Sequence, residues 1–128
     1  MAALAGWQER FAKGLSEATG LARNVVRGWV LAESGPPSNP LNIGPGKDFG
    51  TVDQAVTATA AFIKNNSNYY PLTAAAKTGN TWDQLAAITA SPWDACNYRG
   101  TLPNGACVAG TPGAALVGAF VTANGITA

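Results

Sequence analysis

Residues 21–35 decide the fold, and they read LARNVVRGWVLAESG. Apolar side chains recur in this stretch at the spacing of one helix face: Leu21, Val25, Val26, Trp29, Val30 and Ala32. The spacing predicts an amphipathic helix that ends near Glu33. The residues that follow are Ser34-Gly35-Pro36-Pro37, and they stop the helix because glycine accommodates a left-handed cap and proline cannot continue a helix.

Glu33 continues the apolar face of this helix, since it follows Trp29 by four residues and Val26 by seven. We expect desolvation and the negative end of the helix dipole to raise the pKa of its carboxyl group, as a general acid requires at neutral pH. The alternative is a structural glutamate that forms an ion pair with a nearby cation: Arg23, Arg27 or Lys47.

The stretch from Ser38 to Gly46 is rich in Asn, Gly and Pro, which predicts a loop or an irregular short strand. This loop favours the catalytic interpretation of Glu33, because it supplies polar groups beside the acid. We expect Ser34, Asn39 and Asn42 to line a sugar-binding cleft there.

The remaining pattern predicts a mainly helical chain without long strands. A weak helix is expected from Ala3 to about Ser16, and another is capped by Thr51 with Gln54 and ended by residues 65–68. Two further helices are expected, one from Pro71 to Gly79 and one that is capped by Thr81 with Gln84 and ended by Ser91-Pro92. The last runs from Gly113 to Asn124, with Leu116, Val117, Phe120 and Val121 facing inward. Residues 93–112 are expected to form a loop.

Composition restricts the chemistry. The chain has 128 residues, which suits one domain, and it has no histidine, which excludes Ser-His-Asp triads, Cys-His pairs and His-ligated metals. Two cysteines cannot form a four-ligand zinc site, and a net charge of +1 gives no basic footprint for nucleic acid. Proton transfer therefore falls to seven carboxylates: Glu9, Glu17, Glu33, Asp48, Asp53, Asp83 and Asp94. Asp53 and Asp83 fall in first helical turns, where a negative charge suits the helix dipole.

Several motifs, taken in order, resemble the lysozyme-like superfamily of glycosidases. They are Ala32-Glu33-Ser34-Gly35, Asn39-Pro40-Leu41-Asn42-Ile43-Gly44, Phe49-Gly50-Thr51 with Asp53-Gln54-Ala55-Val56, Tyr69-Tyr70-Pro71 with Ala74-Ala75-Ala76 and Gly79, and Leu85-Ala86-Ala87-Ile88 with Ser91-Pro92-Trp93-Asp94 and Tyr98. The resemblance covers about Gly20 to Gly100. It is closest to catalytic domains of endolysins from phages of actinobacteria, and autolysin glucosaminidases have a similar motif order.

The resemblance implies an α+β lysozyme-like fold, in which helices surround a catalytic helix beside a small irregular β or loop region and a cleft. Glu33 would be the general acid, Asn42 would lie near the cleft floor and Tyr98 would be the closing tyrosine. The aromatic residues that could stack on sugar rings are Tyr69, Trp93 and Trp82. For Trp29 and Trp82 we favour the core, and for Trp93 and Tyr98 the cleft. Cys96 and Cys107 are either bridged across a loop or free.

Glycoside hydrolysis usually needs a second carboxylate, about 5–5.5 Å from the first for retention of configuration and about 6.5–9.5 Å for inversion. Asp48 is the best candidate, and a turn aspartate beside Lys47 is the alternative interpretation. Asp94 is a weaker candidate. In lytic transglycosylases one glutamate suffices, because groups of the substrate complete the reaction. The choice between hydrolysis and transglycosylation stays open, as does the bond that is cut.

The resulting hypothesis is an endolysin-type muramidase or glucosaminidase that needs no metal or cofactor. We expect a monomeric single domain over residues 1–128, part of a longer modular protein, that binds peptidoglycan glycan strands but neither nucleic acid nor membrane. It would be made in the host cytoplasm and reach the wall after release by a holin. The alternatives are a non-catalytic wall-binding or phage structural domain with the same fold, and a helical interaction domain with no glycan role.

Overall fold

The computed structural model describes residues 4–44, 46–93, 102–104 and 113–126. Within these ranges the chain is mainly helical, as predicted, and no strand is present. A short 3-10 helix, Ser67–Tyr69, accompanies six α-helices: α1 (Gly6–Thr19), α2 (Arg23–Glu33), α3 (Val52–Asn65), α4 (Tyr70–Thr78), α5 (Thr81–Ala90) and α6 (Ala114–Asn124). Most of the predicted loop over residues 93–112 lies outside the described residues.

Helix α2 lies at the centre and contacts α1, α5 and α6. Its buried face confirms the predicted periodicity, because Val25, Val26, Trp29 and Val30 have no exposed surface. The helix begins beside α5, where the Ala22 N–H donates to Gln84 Oε1 at 2.8 Å. It ends at Glu33, as predicted.

The axes of α2 and α6 come together at Gly28. A Cβ atom added to Gly28 would lie 2.5 Å from Cα of Phe120 and 2.9 Å from its Cβ, so only glycine permits this approach. Helix α6 is also anchored to α5, because the Gly113 N–H donates to the buried hydroxyl of Thr89 at 3.1 Å. The last helix therefore covers one side of α2.

Polar side chains connect α1, α2 and α6 beside this contact. Nε of Arg27 donates to Oε1 of Glu9 at 2.7 Å, Nη2 donates to Oε2 at 3.2 Å, and Nη1 donates to Oδ1 of Asn124 at 2.8 Å. Nδ2 of Asn124 donates to the Asn24 carbonyl at 2.8 Å. A planar guanidinium with a bidentate partner holds a defined geometry, so this group orients three helices at once.

The helix caps are partly as predicted. Thr51 and Gln54 form the predicted capping box at the start of α3, and Gly79 ends α4 with a left-handed φ of 69°. The predicted cap of α5 is wrong by one residue, because the side chain of Asn80 rather than Thr81 accepts from the Asp83 N–H. Asparagine is the stronger N-cap, and Gln84 is instead buried.

The predicted core is correct at Trp29 and wrong at Trp82. Trp29 has no exposed surface, whereas Trp82 is 57% exposed in the first turn of α5. Leu116 is buried as predicted, and Val117, Phe120 and Val121 are only partly buried. Leu85 and Ile88 of α5, which the pattern also predicts to face inward, are fully buried.

None of the helices in the described part of the chain is long and apolar enough to cross a membrane.

Replacing Gly28 with alanine tests the α2–α6 contact. We expect Gly28→Ala to lower the free energy of unfolding by about 1–3 kcal/mol, because the new methyl group must displace the Phe120 backbone. The matched control is Gly118→Ala on α6, where an added Cβ meets nothing within 4 Å. The control should be neutral or stabilising, since alanine favours helix by about 1 kcal/mol over glycine. Equal denaturation midpoints for Gly28→Ala and wild type would contradict the close approach.

Candidate functional site

The chain that leaves α2 folds into a hydrogen-bonded loop, described at residues 34–44 and 46–50. Ser34 has a left-handed φ of 52° and ends the helix. The Gly35 N–H donates to the Pro40 carbonyl at 3.2 Å, and a side chain at Gly35 would collide with the carbonyl oxygens of Asn39 and Pro40. The loop therefore closes on itself directly after the helix.

Asn39 organises the interior of this loop. Its side chain is 2% exposed, its Oδ1 accepts from the Ile43 N–H at 2.9 Å, and its Nδ2 donates to the carbonyls of Ile43 and Lys47 at 2.8 and 3.3 Å. The expectation that Asn39 lines a cleft is wrong, because all of these bonds point into the loop. An asparagine that satisfies buried backbone groups stabilises a segment without regular structure.

Four aromatic side chains pack beside the loop. The ring of Trp93 contacts the rings of Trp29, Phe62 and Tyr69 in edge-to-face arrangements, with centroid distances of 4.8, 5.6 and 5.7 Å. Phe62 and Tyr69 lie 5.4 Å apart. We call these residues the aromatic cluster; it lies between the core and the surface, since Trp29 is buried and Phe62 is exposed.

A pocket of about 120 Å³ opens between the aromatic cluster and the loop. It is lined by Asn42, Ile43, Gly44, Phe62, Tyr69 and Trp93. Nε1 of Trp93 donates to the Leu41 carbonyl at 3.1 Å, which fixes the indole against the loop. The pocket therefore combines apolar aromatic walls with one side-chain amide, as small-molecule sites commonly do.

Glu33 is partly buried at the end of α2, and a hydrogen bond joins its backbone to a residue of the pocket wall. Nδ2 of Asn42, a residue of the pocket wall, donates to the Glu33 carbonyl at 2.8 Å. Arg27, one of the cations considered as a partner for Glu33, forms its ion pair with Glu9. Two predicted site residues, Glu33 and Asn42, are thus in direct contact.

Ser34 and Asp48 make local hydrogen bonds instead of lining the pocket. Oγ of Ser34 donates to the Leu31 carbonyl at 3.1 Å, so this side chain caps the helix. Asp48 is exposed, and its Oδ1 accepts from the Gly50 N–H at 2.7 Å. That bond is typical of a turn aspartate, which was the alternative interpretation of Asp48.

The other predicted residues have different outcomes. Tyr69 and Trp93 line the pocket, whereas Trp82 does not. Tyr98, Asp94, Cys96 and Cys107 lie outside the described residues. Phe62 lines the pocket but was not predicted. The sequence gives only a weak indication of this role. Phe62 precedes the buried Ile63 on α3, and it contacts Tyr69 only because the chain folds back at residues 65–68.

No family model, curated protein or solved structure matches this chain.

The loop can be tested at Asn39. We expect Asn39→Asp to lower the free energy of unfolding by about 1–3 kcal/mol, because a carboxylate can still accept from Ile43 N–H but cannot donate to the two carbonyls. Asn68→Asp is the control, since Asn68 is exposed. Chemical denaturation of both variants provides the measurement, and an Asn39→Asp midpoint equal to that of wild type would refute the organising role.

Titration of the Tyr69 phenol tests whether this side chain is buried in the pocket wall. Burial raises the pKa of the Tyr69 phenol by desolvation. The folded state therefore binds this proton more tightly than the unfolded state, and the associated stability is lost as the pH rises above about 10. We expect the tyrosinate absorbance of the wild type to contain a late step that Tyr69→Phe removes. The same substitution at the exposed Tyr70 should leave that step in place.

Proposed function

We propose that this protein is a glycosidase that cleaves β-1,4 bonds of the peptidoglycan glycan strand, with Glu33 as its general acid. One observation carries the proposal: the acid ends the central helix, and its backbone carbonyl is bonded to a wall residue of an aromatic pocket. Glu33 is partly buried at the end of α2, and a carboxylic acid is the group that protonation of a leaving glycosidic oxygen requires. The motif order that resembles lysozyme-like enzymes supports the same assignment.

The pocket walls support a sugar as the ligand. Pyranose rings present flat patches of C–H groups, and aromatic side chains such as Phe62, Tyr69 and Trp93 offer matching apolar surface. The backbone at Ile43 and Gly44 offers polar groups in the pocket wall. Phe62 is 36% exposed, so a bound glycan could reach it without opening the core.

A second candidate reaction is lytic transglycosylation by the same glutamate. It is favoured by the state of Asp48, whose carboxylate is exposed and already bonded to the Gly50 N–H of its own turn. Without a second carboxylate beside the substrate, a hydroxyl of the sugar itself can replace water as the nucleophile. Both reactions agree with an endolysin-type role, in which the protein reaches the wall after release by a holin.

Substitution of Glu33 tests the general acid. We expect Glu33→Gln to slow the clearing of a cell-wall suspension roughly 100-fold to 10,000-fold, because the amide cannot protonate the leaving oxygen. Glu17→Gln on α1 is the matched control, since Glu17 is exposed, and it should clear the wall at the wild-type rate. Equal rates for Glu33→Gln and wild type would refute the assignment.

Mass spectrometry of the digested glycan distinguishes the reactions. Hydrolysis adds one water molecule across each cleaved bond, whereas transglycosylation closes a ring within the sugar and gives products lighter by one water. The sugar found at the new chain end identifies the bond. Retention on purified wall material without released glycan would instead support the non-catalytic wall-binding alternative.

A further inference from the structure

The end of α2 needs hydrogen-bond donors. The last carbonyls of a helix lack partners within it, and here the Ser34 N–H donates to Val30 at 3.0 Å while Oγ of Ser34 donates to Leu31 at 3.1 Å. The Glu33 carbonyl accepts from a donor outside the helix end. Its donor is Nδ2 of Asn42, nine residues further along the chain, at 2.8 Å. The position of Glu33 therefore depends on the loop as well as on the helix.

Asn42 is held in a conformation that suits this bond. Its φ is 55°, in the left-handed region that asparagine tolerates better than most residues. Its N–H donates to the Asn39 carbonyl at 3.0 Å, and Asn39 is in turn fixed by Ile43. The amide is thus oriented before any ligand arrives.

The same segment is fixed from the side of the pocket. Nε1 of Trp93 donates to the Leu41 carbonyl, directly before Asn42, and Asn42 itself lines the pocket. A continuous path of bonds therefore runs from the indole of Trp93 through residues 41 and 42 to the backbone of Glu33. This path sets the distance between the acid and the surface on which a sugar would rest.

We propose that Asn42 is a positioning residue, whose amide holds the backbone of Glu33 in register with the aromatic pocket. The inference rests on the proposed glycosidase function and gives Asn42 a role other than binding substrate. Loss of the amide leaves the aromatic walls in place but removes the Asn42 donor from the Glu33 carbonyl. The turnover number kcat should fall, whereas KM, which reflects the walls when substrate dissociates faster than it reacts, should change little.

The experiment measures kcat and KM on soluble peptidoglycan glycan strands. Asn42→Gly keeps the left-handed conformation and removes the amide, and Asn42→Asp keeps the shape but cannot donate to the Glu33 carbonyl. We expect both variants to lower kcat about 10-fold to 100-fold, with KM within about two-fold of wild type. Asn68→Gly is the matched control and should change neither constant. Phe62→Ala removes a pocket wall and should raise KM.

The outcomes separate the hypotheses. Thermal unfolding identifies a variant that fails to fold, and the remaining Asn42 variant then decides. A raised KM with unchanged kcat would overturn positioning in favour of direct substrate binding, and unchanged constants would overturn any role in the reaction. If wild-type protein releases no glycan products at all, the proposed function fails and the positioning role fails with it.

Discussion

The burial of α2 is the constraint on which the rest of the structure depends. Trp29 and its apolar neighbours can leave water only if helices close on several sides, and α1, α5 and α6 do so. Gly28 allows α6 to approach until the backbones nearly touch. A helix enclosed in this way meets solvent over only part of its surface, and its C-terminal end is one such part. The carboxylate-bearing residue Glu33 lies at that end, partly buried.

Much of the fold could be predicted because its signals are local. The apolar period of α2, the capping box at Thr51 and the glycine that ends α4 each act within a few residues, and all are found in the structure. Some predictions that needed the tertiary arrangement failed. Trp82 was expected in the core, but it lies in the first turn of α5 and is 57% exposed.

The candidate site was less predictable than the fold. Glu33 was predicted as a site residue from its helical register, and Trp93 and Tyr69 from the resemblance. Trp93 and Tyr69 line the pocket, and the Glu33 carbonyl is bonded to Asn42 in its wall. The hydrogen-bond partners of the two loop asparagines, Asn39 and Asn42, could not be predicted. Asn39 and Asn42 were both predicted to be polar cleft residues, yet Asn39 bonds inward to Ile43 while Asn42 bonds across to the helix. Only the path of the loop backbone determines which amide faces which way.

The covering of α2 by α6 has a consequence for biosynthesis. Asn124 bonds to Arg27 and to Asn24 across 97 and 100 positions of the chain, so these contacts cannot form until α6 has left the ribosome. Contacts between residues this far apart in the sequence slow folding, because the connecting chain must first be ordered. A nascent chain that lacks residues 114–124 exposes the apolar face of its central helix. Such a chain is prone to aggregation and to chaperone binding until α6 has emerged from the ribosome.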